Sequence, residues 1–377
     1  MKARPHVLVV TGKLDRGGTE LHLLQLLPRL RACELDIAVF ALRAGGVLTA
    51  ALRAAGVPVI EGTRWRGVLG VCATALHLLL VLLTRRPHIV HCFLPEAYVV
   101  GGLCTAWWPR LRRVMSRRSL NHYQARYPGI RLLERLLHRR MHAVLGNSAA
   151  VLTQLRAEGV DERRLLLIYN GIDVARRDRA TDRVAARARL GIDQAALVGV
   201  TVANLIPYKG HADLLAALAL ARAALPAGSV WFCVGRDDGP GSALRAQAAT
   251  CGVADLLRWV GEQDDVVDYL ACADIGVLPS HEEGFSNAVL EGMAAGLPMV
   301  VTAVGGNAEA VVDGDCGLVV PARMPAALAA AMVALAGDPE RRRTLGARAQ
   351  ARIRERFTLD ACVARYAEFY RSLIRYP

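Results

Sequence analysis

Two carboxylates, Glu283 and Glu291, flank a seven-residue run in HEEGFSNAVLEGMAAGLPMVV, which passes from Gly284 into an apolar, helix-forming segment. A strand signal, IGVLPS, comes just before. The order strand, loop, helix puts Glu283 in a loop at the carboxyl edge of a sheet and Glu291 about two turns into the helix. The amides of Phe285, Ser286 and Asn287 then form a helix N-terminus, where unpaired N–H groups and the positive end of the dipole suit a phosphate. Carboxylates beside a phosphate repel it unless they bind hydroxyls, so the pair predicts a sugar on one side and a ribose on the other. An acidic helix start followed by a surface glutamate accounts for the pair equally well on these residues alone.

Further residues carry the same chemistry. In VANLIPYKGHADLLAAL, Lys209 and Gly210 lie between a strand and a helix, which sets Lys209 at a carboxyl edge, able to neutralise a departing diphosphate. VGRDDGPG, residues 234–241, repeats the arrangement, although glycine-rich strand-to-helix turns also serve as plain connections. Gly17 and Gly18 open a helix in the first β-α turn without the G-x-G-x-x-G spacing, which disfavours a nicotinamide enzyme. The nine cysteines are scattered singly, with no C-x-x-C pair, and are expected to be reduced thiols in a cytoplasm. The N-terminal MKARPHVLVVTG runs straight into a strand without signal-peptide features, in keeping with that compartment. The string Asp313-Gly314-Asp315 sits in a turn context, and no metal is expected.

These residues need a scaffold. The chain of 377 residues suits two domains, and its 53% hydrophobic content excludes disorder, while 5% aromatic content argues against a stacking platform for single-stranded nucleic acid. Apolar runs begin at residues 6, 35, 57, 88, 113, 142 and 164, alternating with helical periodicity, and the series restarts at 197, 229, 256, 273, 297 and 317. That pattern predicts two Rossmann-like, doubly wound parallel-sheet α/β domains facing a cleft. The expected boundaries are a first domain over 1–175, a second over 176–358, and a terminal helix over 359–377 packing back toward the first domain.

Charge is one-sided. Residues 1–172 hold 25 Lys+Arg against 10 Asp+Glu, a net +15, while the rest hold 22 against 24, a net −2. Nucleic acid, anionic lipid head groups, a phosphorylated substrate or simple solubility all fit this field. Residues 67–84, GVLGVCATALHLLLVLLT, carry no formal charge and are flanked by Arg66, Arg85 and Arg86. Their length only reaches the spanning threshold, so a buried or membrane-surface helix is expected rather than a transmembrane one.

Taken together, GGTELHLLQLL, LGNSAAV, IYNGID, VANLIPYKGH, VGRDDGPG and the block from WVGEQDDVVDYL to VVDGDCGLVV resemble the retaining glycosyltransferases of family 4, whose two-domain architecture is called GT-B. The resemblance covers nearly the whole chain and is most specific in the last block. It implies that Glu283 contacts donor-sugar hydroxyls, Glu291 the ribose and Lys209 the diphosphate. Backbone amides of Gly284, Phe285, Ser286 and Asn287 are implied as phosphate and sugar contacts, with Gly17 and Gly18 facing the donor phosphates. The backbone around Val260, in Trp259 to Gly261, is implied as the nucleobase reader.

Two positions depart from the family pattern. Asn204 replaces an arginine five residues before Lys209, a loss that Arg236 or a first-domain arginine would offset. Arg117, Arg118 and Ser119 stand where a first-domain histidine is usual, so Arg118, or else His122, would act beside the reacting sugar; the arginines are favoured. The implied reaction transfers a hexosyl unit from a nucleoside-diphosphate sugar to an acceptor hydroxyl with retention of configuration, with Lys209, Glu283 and Arg118 as the catalytic set and no cofactor. A glycan or lipid-linked acceptor is implied, in cell-surface polysaccharide, lipopolysaccharide or lipid-linked glycan synthesis. The basic first domain with its apolar helix suggests a peripheral protein on an anionic inner leaflet. A nucleotide-sugar 2-epimerase of the same fold is the alternative; a nucleic-acid binder fits only the basic half.

Overall fold

A computed structural model describes residues 4–64, 67–120, 124, 127–175 and 182–375. The chain forms two compact units, one of residues 1–170 and 359–377, the other of 171–358. Each is a parallel sheet flanked by helices, as the alternating runs predict.

Unit 1 contains β1 (His6–Lys13), α1 (Gly18–Ala32), β2 (Asp36–Arg43), α2 (Thr49–Ala54), β3 (Val59–Thr63), α3 (Gly67–Arg85), β4 (Ile89–Phe93), α4 (Pro95–Thr105), β5 (Arg112–Arg117), α5 (Pro128–His138), β6 (Ala143–Gly146), α6 (Ala149–Ala157) and β7 (Leu165–Leu167). Its seven strands are ordered β3-β2-β1-β4-β5-β6-β7 and all pair in parallel. The order reverses at β1, which is where open α/β sheets leave a crevice at their carboxyl ends. Strands buried on both faces must be apolar throughout, and Val7 to Val10 and Ile37 to Ala41 are fully buried or nearly so.

Unit 2 contains α7 (Arg183–Arg189), β8 (Val198–Val202), α8 (His211–Ala221), β9 (Val230–Val234), α9 (Gly241–Thr250), β10 (Leu257–Gly261), α10 (Val267–Cys272), β11 (Ile275–Leu278), α11 (Asn287–Ala294), β12 (Met299–Thr302), α12 (Asn307–Ala310), β13 (Gly317–Val320), α13 (Pro325–Ala336) and α14 (Pro339–Arg356). Its six strands run β10-β9-β8-β11-β12-β13, again all parallel, with the reversal at β8. The last helix, α15 (Leu359–Arg375), belongs to unit 1. There it packs on α1, burying Leu359, Cys362, Val363, Tyr366, Ala367 and Tyr370 in the core that also holds Leu23, Leu26, Leu27 and Leu30. The opposite sheet face is covered by α3, α4, α5 and α6, through Leu78, Tyr98, Leu137 and Val151 among others.

Candidate functional site

In unit 2 the candidate residues collect on the loops that leave the carboxyl ends of β8 and β11. Lys209 ends a single 3-10 turn, Pro207–Lys209, after β8. Gly210 then takes φ 72°, the left-handed region, and starts α8. A Cβ on Gly210 would stand 1.9 Å from the Pro279 carbonyl oxygen, so only glycine lets the α8 N-terminus come this close to the β11 exit. His281 fastens the contact from the other side. Its backbone N–H donates to the Tyr208 carbonyl at 2.7 Å, and its Nε2 lies 2.7 Å from the Asp213 carboxylate in the first turn of α8.

That closeness brings Lys209 and Glu283 together. The Lys209 Nζ stands 2.6 Å from Glu283 Oε1, and the Ser280 hydroxyl donates to the same oxygen at 2.8 Å. Both bonds fall on Oε1, which leaves Oε2 without a protein hydrogen bond among the described residues and open to a ligand hydroxyl. Glu283 is buried and the Lys209 side chain is 20% exposed. Burial works against the lysine charge, but the Glu283 carboxylate outweighs it, and the Lys209 pKa is raised above the ordinary value. Ser280 is itself held, its carbonyl accepting from the Thr302 hydroxyl at the end of β12. His211, next to Lys209, is buried, and desolvation followed by the lysine charge lowers its pKa to about 4; it is neutral at pH 7.

The helix that follows begins as its residue types dictate. Ser286 caps α11, its hydroxyl accepting from the Val289 amide, and the 283–284 backbone is clasped by the loop after β12. There the Gly306 amide donates to the Gly284 carbonyl at 2.7 Å, and a Cβ on Gly305 would sit 1.9 Å from the Glu283 carbonyl. The Phe285 side chain is buried against Phe357, so it anchors the loop while its backbone remains part of the helix start. Asn287 is the first residue of α11 and Glu291, half-buried, lies in its second turn.

Asn204 and Arg236 meet through the backbone. The Asn204 side-chain oxygen accepts from the Arg236 backbone N–H at 3.1 Å, and its amide donates to Asp238 at 3.3 Å. The Arg236 guanidinium is engaged by Asp238 at 2.6 Å and Glu262 at 3.5 Å. Val260 lies on β10, the edge strand, where the Gln263 side chain donates to its carbonyl at 3.4 Å. Asp313 and Asp315 do structural work in their turn: Asp313 accepts from the Val319 amide at 2.9 Å, and Asp315 pairs with Arg348 at 2.9 Å.

Unit 1 holds a separate group at the carboxyl edge of its own sheet. Gly17 is the N-cap of α1 and Gly18 its first residue. The Glu20 carboxylate folds back over this turn, into space that a Cβ on Gly17 would invade at 2.4 Å. Arg117 and Arg118, adjacent in sequence, part at the end of β5 because successive strand residues point to opposite faces. Arg117 is buried on the α5 and α6 side, paired with Glu134 at 3.0 Å and Glu158 at 3.0 Å, while His138 lies 3.0 Å from Glu158. Arg118 acts on the other face, where its charge is felt by Glu20, His22, His91 and Tyr366 of α15. Burial raises the Glu20 pKa against the pull of Arg118. His91, fully buried, lies 2.7 Å from the Tyr370 hydroxyl and 2.8 Å from the Ser116 hydroxyl, and burial with the nearby Arg118 charge keeps its pKa well below 6.5. His122 lies outside the described residues.

The expected residues thus fall into two groups, one per unit: Gly17, Gly18 and Arg118 in unit 1, and Asn204, Lys209, Arg236, Val260, Glu283, Gly284, Phe285, Ser286, Asn287 and Glu291 in unit 2. Sequence reasoning missed Ser280, His281, Gly210 as a close-approach glycine, Gly305, Glu20 and Tyr366. The GG in TAVGGNAEA was the available signal for Gly305. Tyr366 is 248 positions from Arg118, and no local pattern marks it.

Comparison with known proteins agrees with this architecture. Residues 16–176 match the model of Glycosyltransferase Family 4, and residues 196–338 match that of Glycosyl transferases group 1. A D-inositol 3-phosphate glycosyltransferase of Streptomyces scabiei is 29% identical over 390 residues, covering 95% of this chain and 87% of the relative. One of the same name from Geodermatophilus obscurus is 39% identical over 224 residues, 55% of this chain and 48% of its own length. The crystal structure of Anabaena HepE in complex with UDP-glucose superimposes with a TM-score of 0.87 at 23% identity, covering 97% of this chain and 99% of that one. Sucrose-phosphate synthase from Thermosynechococcus elongatus gives 0.86 at 20% identity, covering 99% and 100%. With two family models that match a stretch in each unit and relatives aligned along nearly its full length, the chain belongs to the glycosyltransferases of family 4, group 1, as an enzyme with the GT-B fold.

Proposed function

We propose that the enzyme transfers a hexosyl unit from a nucleoside-diphosphate sugar to an acceptor hydroxyl with retention of anomeric configuration. The observation that carries this reading is the Lys209–Glu283 pair at 2.6 Å beside the capped start of α11. A lysine held charged at a phosphate-suited helix N-terminus meets the negative charge that grows on a departing diphosphate. Glu283 Oε2 accepts from a donor-sugar hydroxyl, and Glu291, two turns along, takes the ribose. The leaving phosphate accepts the acceptor proton, so the reaction needs no dedicated base, and protein cations and amides carry the charge without a metal. Arg118, whose charge reaches Glu20 in the first turn of α1, is the first-domain cation of this reading. The complexes of Anabaena HepE with UDP and UDP-glucose support a uridine donor as the first to try.

The relatives' name makes D-inositol 3-phosphate one acceptor to test; lipid-linked sugars and oligosaccharides are the others. A thermal-shift screen of UDP-, GDP- and ADP-hexoses tests donor binding, since a ligand at 100 times its Kd stabilises the folded state by about 2.7 kcal/mol. One donor is expected to raise Tm and to yield product whose anomeric proton signal matches the donor's configuration. A flat screen together with no transfer from any donor overturns the reading. Inverted product overturns retention alone, and an epimer formed from donor alone moves the enzyme to the 2-epimerases.

A further inference from the structure

The outer face of α3 is unlike that of a helix packed on a soluble sheet. Its inner stripe, Gly70, Thr74, Leu78, Val81 and Leu82, is buried, with Leu78, Val81 and Leu82 in the core beneath. The outward stripe is where charge belongs in a water-facing helix. Here it is Leu69, Cys72, Leu76, Leu80 and Leu83, at the i, i+3, i+7 spacing of one face; Leu69 is 77% and Leu76 60% exposed. No formal charge occurs from Gly67 to Thr84.

The neighbouring helices extend this surface. α4 packs against both α3 and α5, and all three cover the same sheet face. Trp107, just beyond α4, is 86% exposed, and Leu132 and Leu136 are exposed one turn apart on α5. Exposed arginines ring the patch: Arg64 and Arg85 beyond or at the ends of α3, Arg110 after Trp107, and Arg131 and Arg139 on and after α5. Residues 64–140 as a whole contain 14 Arg against two Glu, of which Glu134 is buried. An apolar plateau rimmed by arginine, with an exposed tryptophan, is complementary to an anionic bilayer surface, where leucines enter the acyl boundary and guanidinium groups meet phosphates.

We propose that the face of unit 1 formed by α3, the end of α4 and α5 docks in the plane of an anionic phospholipid bilayer. The helix lies on the bilayer and does not cross it. α3 is the crossover between β3 and β4 of one parallel sheet, and Thr74 bonds Thr63 at 3.0 Å from its inner stripe, so spanning would strip a buried face off the core. A second copy of the chain is a poor occupant, because a two-fold contact sets this arginine rim against itself.

The test uses the purified full chain with vesicles of phosphatidylcholine alone or with phosphatidylglycerol, and needs no sugar nucleotide, so it stands or falls apart from the donor reading. Sedimentation is expected to show binding to the anionic vesicles at least about tenfold tighter than to the neutral ones, weakened by 0.5 M salt, at about the scale on which several surface arginines act. The triple substitution L69E/L76E/L80E, all at exposed positions, is expected to lose at least about tenfold in partitioning with Tm unchanged. The wild-type tryptophan emission is expected to shift blue on binding, a shift that W107F reduces. Equal binding by wild type and triple variant, equal binding to both vesicle types, or no binding with a dimer that the triple variant splits, each overturns the proposal.

Discussion

The two units place polar clusters at the same edge of the same kind of sheet, yet the clusters are built differently. In unit 2 the central contact is between charged groups, Lys209 and Glu283, held by short loops that cross one another at Gly210 and Gly305. In unit 1 a single cation, Arg118, is set among groups that burial keeps neutral, His22, His91, Tyr366 and Tyr370, two of them supplied by a helix from the far end of the chain. The unit 2 cluster can answer a ligand's charge at once, because its lysine is partly exposed. The unit 1 cluster is a fixed frame. Neutral buried groups bonded to each other hold position at little desolvation cost, whereas a second ion there would require a paired partner, as Arg117 has on the opposite face.

The sharpest break of this comparison is Glu283→Gln, which keeps the size and removes the charge. Transfer is expected to fall by about 10²-fold or more, the scale on which transition-state contacts act, with the folded state retained. Steady-state kinetics of the variant check this; a fall under about threefold refutes a role in the reaction. The same change in unit 1, Arg118→Gln, separates frame from chemistry: a loss in kcat without loss of nucleotide-sugar affinity places the arginine with the reacting groups.

Acid comes next. His211 has its pKa lowered to about 4 in unit 2, and His22 and His91 are lowered well below 6.5 in unit 1. The unfolded chain therefore binds protons first as pH falls below 6.5, so the stability these groups contribute is complete above 6.5 and is lost on approach to pH 4. For His211 alone the loss is on the order of 3 kcal/mol. Urea melts from pH 7 to 4.5 are expected to show falling midpoints. Hydrogen exchange, corrected for its intrinsic pH dependence, is expected to rise first in β4 and β5, because unit 1 holds two such buried histidines.

Gly210→Ala tests the crossing loops. It forces a Cβ at positive φ against the Pro279 carbonyl, so a loss of about 2 kcal/mol or more is expected, with donor affinity falling as Lys209 and Glu283 separate. Calorimetry and the thermal-shift screen read both effects. Smallest is Tyr370→Phe, which removes one hydroxyl from His91 and is expected to cost about 1 to 2 kcal/mol with donor affinity unchanged. A change in donor affinity would show that the unit 1 frame governs the donor site as well.

Much of this was legible in the chain. All thirteen strands stood out as apolar runs, because a parallel sheet buries both faces and leaves little room for polar alternation. The HEEGFSNAVLEG loop and the helix start near Ser286 were readable because helix starts depend on near neighbours. Arg117 and Arg118 were not separable, since the face each one takes depends on where β5 ends in the sheet register. Asn204 and Arg236 show the same limit. The chain marks them as neighbours of the phosphate-suited edge, but only the tertiary structure pairs the guanidinium with Asp238 and Glu262.

By itself, then, the sequence determined two α/β units, a carboxyl edge bearing Lys209, Glu283 and a helix start, and an uncharged helix amid arginines. Only the tertiary structure decided that Lys209 and Glu283 meet on one oxygen, that Tyr366 and Tyr370 return to Arg118 and His91, and that the leucines of α3 turn outward. The reason is range: helix starts and buried strands follow from residues a few positions apart, while these contacts join segments 74 to 279 positions apart or depend on which face of a helix the core takes up.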